Sequence, residues 1–494
     1  MHRPEPPSEL SRPASCGCPH SSSLESNHTA PADSPGVAAA WPPGPATGLT
    51  GWTLLRPMAR DLLGTLAQWR DAHGDAIHLR IWPEHQVVLT HPDLVRELLV
   101  GQHDALTRWE HGISVFAQLH GHSVLVSEGH PWRAKRQALL PAFSPRTVQS
   151  QIPALTATAE ASLQGWPGQS HDFPMEQALT TLTMDVIMRL VFSGAMGEDA
   201  RAAGQAIREV SHATNREFYW PLRWPDFMPW KRGKRQALAW LRGFIDQQLR
   251  ARLAQKPANW PEDLLSRLLR LHQDDTRTWT LQAVRDECMT AFLAGHETVA
   301  SSLTWWSWCM ASHPEAQETV AEEVRERLQG RPPTAQDLPA LRQLDFSLRE
   351  AMRLYPAAPV LISRRCTRPV QLGPWRLPAG TMFMIAPGLM QRDARWFPEP
   401  HAFRPARFDE AHPDGAPTAP RGSWMPFGTG PRICLGQHLA QAEMAVVAAM
   451  LLQRWHLHAT QGASAPRPVL QVTLRPQEPL RLRLEPRAHA KNPG

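Results

Sequence analysis

The chain has 494 residues, 42% of them hydrophobic, and 52 Lys+Arg against 46 Asp+Glu give a net charge of +6. That length can bury a large core, and the charge is scattered, with no basic run of the kind that tracks nucleic acid. No stretch reaches the ~18 apolar residues of a membrane span, and six irregularly spaced cysteines form no disulfide framework, so a reducing cytoplasm is the expected compartment.

Residues 1–45 are rich in Pro, Ser, Ala and Gly without apolar periodicity, which predicts a disordered leader. In it, Cys16, Cys18 and His20 offer half of a metal site with no second half, and Asn27 opens a glycosylation sequon that nothing else supports. "HLRIWPEHQVVLTH" predicts a strand pair, Ile77–Trp82 and Gln86–Thr90, around a turn at Pro83. "PDLVRELLV" predicts a short helix opened by Pro92. "WRAKR" puts Trp132 and Arg136 four apart on one helix face; taken alone, a packed indole and solvated charge explain them.

From about 130 to 355 the apolar spacing is mostly helical. "REFYWPLRWPDFMPWKRGKR", from Arg216, combines aromatics with a closing basic cluster. It reads as ordinary packing with a solvated basic turn, or as a greasy lid or membrane-surface contact. The long apolar stretch "AVRDECMTAFLAGHETVASSLTWWSWCM" carries "AGHET" in its middle. Small Ala294 and Gly295 leave room over a flat ligand, and Glu297 with Thr298 supplies a carboxyl and a hydroxyl able to relay protons. His296 is a bystander. "EAMR" sets Glu350 and Arg353 three apart on one face, by itself an ordinary surface pair. Prolines break 357–420 into short strands and coil. A helix from about Leu435 to Trp455 and a terminal strand pair, "LQVTLRP" with "LRLRLEP", close the chain.

The most specific stretch is "FGTGPRICLG", Phe427 to Gly436. Gly430 and Gly436 let the backbone turn sharply and approach a ligand. The start of the following helix favours a thiolate at Cys434, and Arg432 suits an anionic group of a cofactor. A lone cysteine is more often a small buried hydrophobe. Here Phe-x-x-Gly-x-Arg-x-Cys-x-Gly fixes five positions, and its chance occurrence in such a chain is on the order of 10⁻⁴.

With these motifs in this order, from "PPGP" at 42 to about 486, the chain resembles the cytochrome P450 family, the heme-thiolate monooxygenases, and in particular its soluble bacterial members. The resemblance implies a mainly α fold with small β-sheets, the cytochrome P450 fold, as one catalytic domain over 46–494. It implies heme b with Cys434 as axial iron ligand, whose thiolate favours O–O cleavage. Phe427 would shield the sulfur, with Gly428 and Gly436 in the same cofactor loop. Arg432, Trp132, Arg136 and Arg364 would hold the propionates; Arg365 rivals Arg364, because this stretch carries one extra residue. Ala294 and Gly295 would face the oxygen site, and Thr298 and Glu297 would manage protons. Glu350 and Arg353 would be buried and joined by Arg407 of "FRPARF", where Ala406 replaces the family's usual Glu.

By position in the family, Trp109, Ile113, Phe116, Ala291, Phe292, Val360, Leu361 and Val472 line an apolar substrate pocket, under the stretch that begins at Arg216. The chain carries no flavin or iron–sulfur motif, so O2 chemistry implies electrons from NAD(P)H through a ferredoxin or flavodoxin. That partner would dock on the cysteine side, where Arg133 and Lys135 add positive charge. The expected protein is a monomer with no nucleic-acid partner and no transmembrane segment. Two other readings stay open. One is a heme-thiolate enzyme that uses peroxide or isomerises its substrate, against which Glu297 and Thr298 argue. The other is a non-catalytic heme sensor or carrier.

Overall fold

Nine of the described helices position the site in the computed structural model, which describes residues 41–487 except 196, 198, 220–224, 226, 412–418, 461 and 463. They are α1 (Glu110–His120), α2 (Gly129–Leu139), α3 (Pro145–Gln164), α4 (Met175–Phe192), α5 (Asp199–Tyr219), α6 (Arg232–Leu253), α7 (Leu281–Ser312), α8 (Arg342–Leu354) and α9 (Gln437–Arg454). Local chemistry sets their starts. Ser144 accepts from the Thr147 N–H ahead of α3, with Pro145 at its first position, and Thr280 accepts from the Ala283 N–H ahead of α7.

α7 is the axis of the fold. At 32 residues it is about 48 Å long, and its two halves enter two different apolar cores. One core joins α7 to α3, α4, α8 and α9 through residues such as Leu303, Trp306, Leu182, Leu348 and Val447. The other joins it to α4, α5 and α6 through Val284, Phe292, Ile187, Ile207 and Leu241. The C-terminal half of α7, from Val299, thus belongs to the first core and the N-terminal half, to Leu293, to the second, which leaves residues 294–298 between them. Among the described residues, no helix is long and apolar enough to cross a membrane.

The strands are β1 (Ala76–Ile81), β2 (Glu84–Leu89), β3 (Leu106–Arg108), β4 (Ser170–Phe173), β5 (Arg364–Cys366), β6 (Val370–Leu372), β7 (Trp375–Leu377), β8 (Met382–Ile385), β9 (Trp455–Ala459), β10 (Pro468–Leu470), β11 (Leu474–Pro476) and β12 (Leu482–Pro486). A five-stranded sheet runs β1-β2-β8-β5-β3, parallel between β2 and β8 and otherwise antiparallel. The predicted pair around Pro83 is β1 and β2; β1 lies one residue early at each end, and β2 starts two residues early and ends one early. "PDLVRELLV" begins as a helix at Pro92–Arg96 and widens into a π-turn at Glu97–Gly101.

The expected terminal strand pair does not form. "LQVTLRP" folds back on itself as the β10–β11 hairpin, with Gln471 N–H donating to Thr473 O at the tip, whereas β12 lies between β4 and β9. Two prolines, Pro476 and Pro479, separate the stretches and deny a direct hairpin its backbone donors. The leader residues Cys16, Cys18, His20 and Asn27 lie outside the described residues. The chain is held from Trp41, inside the predicted leader: its indole stacks on His78 and His85, and Pro43 O accepts from His78 N–H.

Candidate active site

The loop before α9 turns through two left-handed glycines, Gly428 and Gly430, both at φ 75°. A side chain at Gly430 would collide with the Leu99 carbonyl oxygen, so glycine is required there. Gly436 differs from expectation. Its φ is −86°, and a Cβ there would meet no protein atom within 4 Å. Nothing in the chain itself therefore demands glycine at 436, and the space beside it is open. Cys434 is pinned by its N–H to Phe427 O at 2.9 Å, and Phe427 packs on the first core. The cysteine is set deep yet uncovered on one side. Burial pushes its thiol up, and the Gly436 N–H and Arg136 only partly offset that. The free sulfur is thus a neutral thiol, and a bound metal is what makes such a group a thiolate.

α7 presents a matching anomaly. Midway along a mostly buried helix, Ala294 is exposed, while Ala291, Gly295 and Thr298 are half-buried. These positions lie three and four apart, hence on one side. Thr298 Oγ1 donates to Ala294 O at 3.0 Å. Gly295 has its own packing reason: a Cβ there would lie 2.6 Å from Ile187 Cδ1 on α4. His296 is buried, with its Nδ1 2.8 Å from Phe292 O.

Arginines gather beside the cysteine loop. Arg136 on α2 donates to Ile433 O at 2.9 Å. Arg432 lies over the Trp132 ring at 4.0 Å, donates to Ser127 O at 3.1 Å and pairs with Glu128. Arg108, which the sequence reading missed, pairs with the same Glu128 at 2.6 Å. Arg364 donates to Ile362 O within range of the Arg108 and Glu128 charges, and burial with the Arg108 charge pushes it down to about 10. Burial and the neighbouring arginines push Arg432 down to about 9. Three guanidinium groups, of Arg108, Arg364 and Arg432, share the one Glu128 carboxylate, with Arg136 acting on Arg432 as a fourth positive charge, so the cluster is short of negative charge. Together with the uncovered thiol, the bare Gly436 and the open face of α7, this donor set fits a flat, dianionic, metal-centred ligand such as heme. Strand alternation decides between Arg364 and Arg365. Arg365 points to the other face, bonded to Glu84 at 2.8 Å and Glu110 at 3.0 Å.

Glu297 sits beside Thr298 but reaches toward β11, where Arg475 Nη2 holds it at 3.0 Å; the same guanidinium touches Glu176 at 3.4 Å. Burial raises Glu176 despite Arg475. The hairpin is further bound to α7, because Leu474 O accepts from Ser301 Oγ and Trp305 Nε1 at 2.7 and 2.8 Å. Behind the site, Glu350, Arg353 and Arg407 come together fully buried. Glu350 pairs with Arg353 at 2.7 Å and with Arg407 at 2.9 Å. The spare donors of the two arginines reach the carbonyls of Gln391, Pro398, Pro400 and Ala402.

Of the expected pocket residues, Trp109, Ile113, Phe116, Ala291, Val360, Leu361 and Val472 are half-buried. Phe292 is not wall but core: it is wholly buried, its ring 6.0 Å from Phe244 and 5.6 Å from His296. Lys135 adds no surface charge, being buried and paired with Glu287 at 2.9 Å. In the stretch from Arg216, residues 220–224 and 226 lie outside the described residues. Its basic end divides: Lys231 and Lys234 are buried against Glu217 at 3.2 and 2.7 Å, whereas Arg232 and Arg235 are exposed.

Comparison with known proteins agrees with this chemistry. A cyclooctat-9-en-7-ol 5-monooxygenase of Streptomyces melanosporofaciens is 32% identical over 433 residues, covering 84% of this chain and 91% of the relative. A pentalenene oxygenase of Streptomyces avermitilis is 29% identical over 434 residues, covering 86% and 92%. A human protein, cytochrome P450 4F12, is 29% identical over 427 residues, covering 81% and 80%. The family described as Cytochrome P450 matches residues 42–484, and the chain belongs to it, the family of the heme-thiolate monooxygenases.

Proposed function

We propose that the chain is an external monooxygenase, which inserts one oxygen atom of O2 into an apolar organic substrate and reduces the other to water. Electrons would come from NAD(P)H through a separate ferredoxin- or flavodoxin-type protein. The observation that carries this reading is the coexistence of an uncovered Cys434 thiol beside four arginines with an uncovered face, Ala294, Gly295 and Thr298, midway along a mostly buried helix. Heme b held by Cys434 supplies the oxygen and electron chemistry when bound.

The chain's own residues do the rest. Arg432, Arg136, Arg364 and Arg108 offer the charge that two propionates lack, with Trp132 stacked under Arg432. The Thr298 hydroxyl, now donating to Ala294 O, can turn to pass a proton. Glu297 resupplies it from the Arg475 side. That acid–hydroxyl pair favours O2 over the peroxide-using and isomerising alternatives. The relatives' names point to an alkenol and an alkene as substrates, in keeping with an apolar wall at Trp109, Ile113, Phe116 and Val472. Arg133, exposed on α2, belongs to the partner's docking face.

The first test is the spectrum of the reduced protein under carbon monoxide. A strongly red-shifted Soret band is expected, and its absence even after heme reconstitution would end the reading. Thr298→Ala should then divert about tenfold more of the consumed NAD(P)H into peroxide. Unchanged coupling in that variant would remove Thr298 from proton handling.

A further inference from the structure

His120 closes α1, and Thr290 stands on α7 one turn before Ala294. The two meet, with His120 Nδ1 3.2 Å from Thr290 Oγ1. Both are buried. Phe116, one turn back on α1, has its ring 6.0 Å from the imidazole and 5.6 Å from the ring of Phe218. Burial alone pushes the imidazole down to about 4. It is therefore neutral at physiological pH, with a proton on one nitrogen only.

Thr290 decides which nitrogen. Threonine hydroxyls inside helices commonly donate to the carbonyl four residues back. Thr298 and Thr304 do so, to Ala294 O and Ala300 O at 3.0 and 2.7 Å. Thr290 makes no such bond among the described residues, where its side chain has His120 Nδ1 as sole partner. Its hydroxyl proton therefore goes to Nδ1, and the ring proton sits on Nε2. Nε2 has no partner among the described residues, yet it is not one of the polar atoms sealed in by protein.

We propose that His120 and Thr290 form the polar anchor of the substrate pocket, with Nε2–H donating to a hydroxyl or carbonyl oxygen of an otherwise apolar, uncharged substrate. The assignment rests on the monooxygenase reading above and adds the substrate class to it. No charged group acts on the imidazole, so a carboxylate bound there would be desolvated without a counter-ion. Thr290, Ala294 and Thr298 follow one another at four-residue steps along one side of α7, about 6 Å apart. An oxygen held at His120 thus places the reacting carbon roughly 6–12 Å away along the skeleton.

The test is titration of the full holoprotein, read by the spin-state shift of its Soret band, with two matched series. These are cedrene and cedrol, and dodecane, dodecanol and dodecanoic acid. Each alcohol should bind about tenfold tighter than its hydrocarbon, the worth of one hydrogen bond, and dodecanol tighter than dodecanoic acid. The preference should vanish in His120→Leu and shrink in the near-isosteric Thr290→Val. His120→Gln, which keeps an N–H in that region, should retain part of it. If His120→Leu loses the carbon monoxide band by misfolding, Thr290→Val decides. An undiminished alcohol preference in the variants, a preference for the hydrocarbon or the acid, or no response to any probe by protein with a normal band would overturn the anchor. Wild-type protein without the thiolate band would instead overturn the monooxygenase reading beneath it.

Discussion

At Cys434 two effects oppose each other, and burial outweighs the Gly436 N–H and Arg136. Heme-free protein should therefore react slowly with iodoacetamide at pH 7. Its rate should still be climbing above pH 9, because a raised thiol pKa delays the thiolate. Cys434→Ser should lose the thiolate band outright. This residue is legible in the sequence because its chemistry is compressed into ten consecutive positions. Arg108, Glu128 and Arg475 were not, because each acquires meaning only through groups distant in sequence: Arg108 pairs with Glu128, which Arg432 joins from the cysteine loop, and Arg475 pairs with Glu297. Arg475 itself is a third point of test. Arg475→Met should destabilise the protein by about 1–3 kcal/mol in urea titrations, because it leaves a buried Glu297 without its cation.

At the scale of elements, the Glu350–Arg353–Arg407 cluster ties α8 to the coil that precedes the cysteine loop. Glu350→Gln leaves two buried guanidinium groups sharing no anion and should cost about 3–5 kcal/mol of unfolding free energy. Arg353→Lys should not rescue the fold, since an ammonium cannot reach both Glu350 oxygens and three carbonyls at once. Gly436→Ala separates loop strain from ligand contact. With its ordinary φ it should leave heme-free stability within about 0.5 kcal/mol and yet weaken heme uptake, whereas Gly430→Ala should damage both. Motif spacing found α7, α8 and the cysteine loop because helical periodicity is a local property. It mispaired the last strands because strand partners are chosen by long-range packing, and it misjudged Phe292 because one helix face can turn from wall to core within a single residue step.

Across the whole molecule, two imidazoles set an acid limit. His78 is pushed down to about 4 by burial and by the His85 and Arg80 charges, and His120 to about 4 by burial. The unfolded chain takes up these protons near pH 6.5 and the folded chain only near 4. Stability is therefore full above pH 6.5 and declines as pH falls from there toward 4. Urea midpoints taken at pH 7, 6 and 5 should show the decline, and His120→Phe should flatten it. The β10–β11 hairpin carries a consequence of another kind. Leu474 and Arg475 fasten to Ser301, Trp305 and Glu297, so the middle of α7 is furnished by residues translated after nearly everything else. A ribosome-bound chain that has not passed residue 474 lacks the partner of its acid and also Leu480, Leu482 and Leu484 of the first core, whose strand β12 joins β4 to β9. A nonsense codon just ahead of residue 474 would leave that core open, so the shortened protein should be destabilised before its proton handling is ever tested.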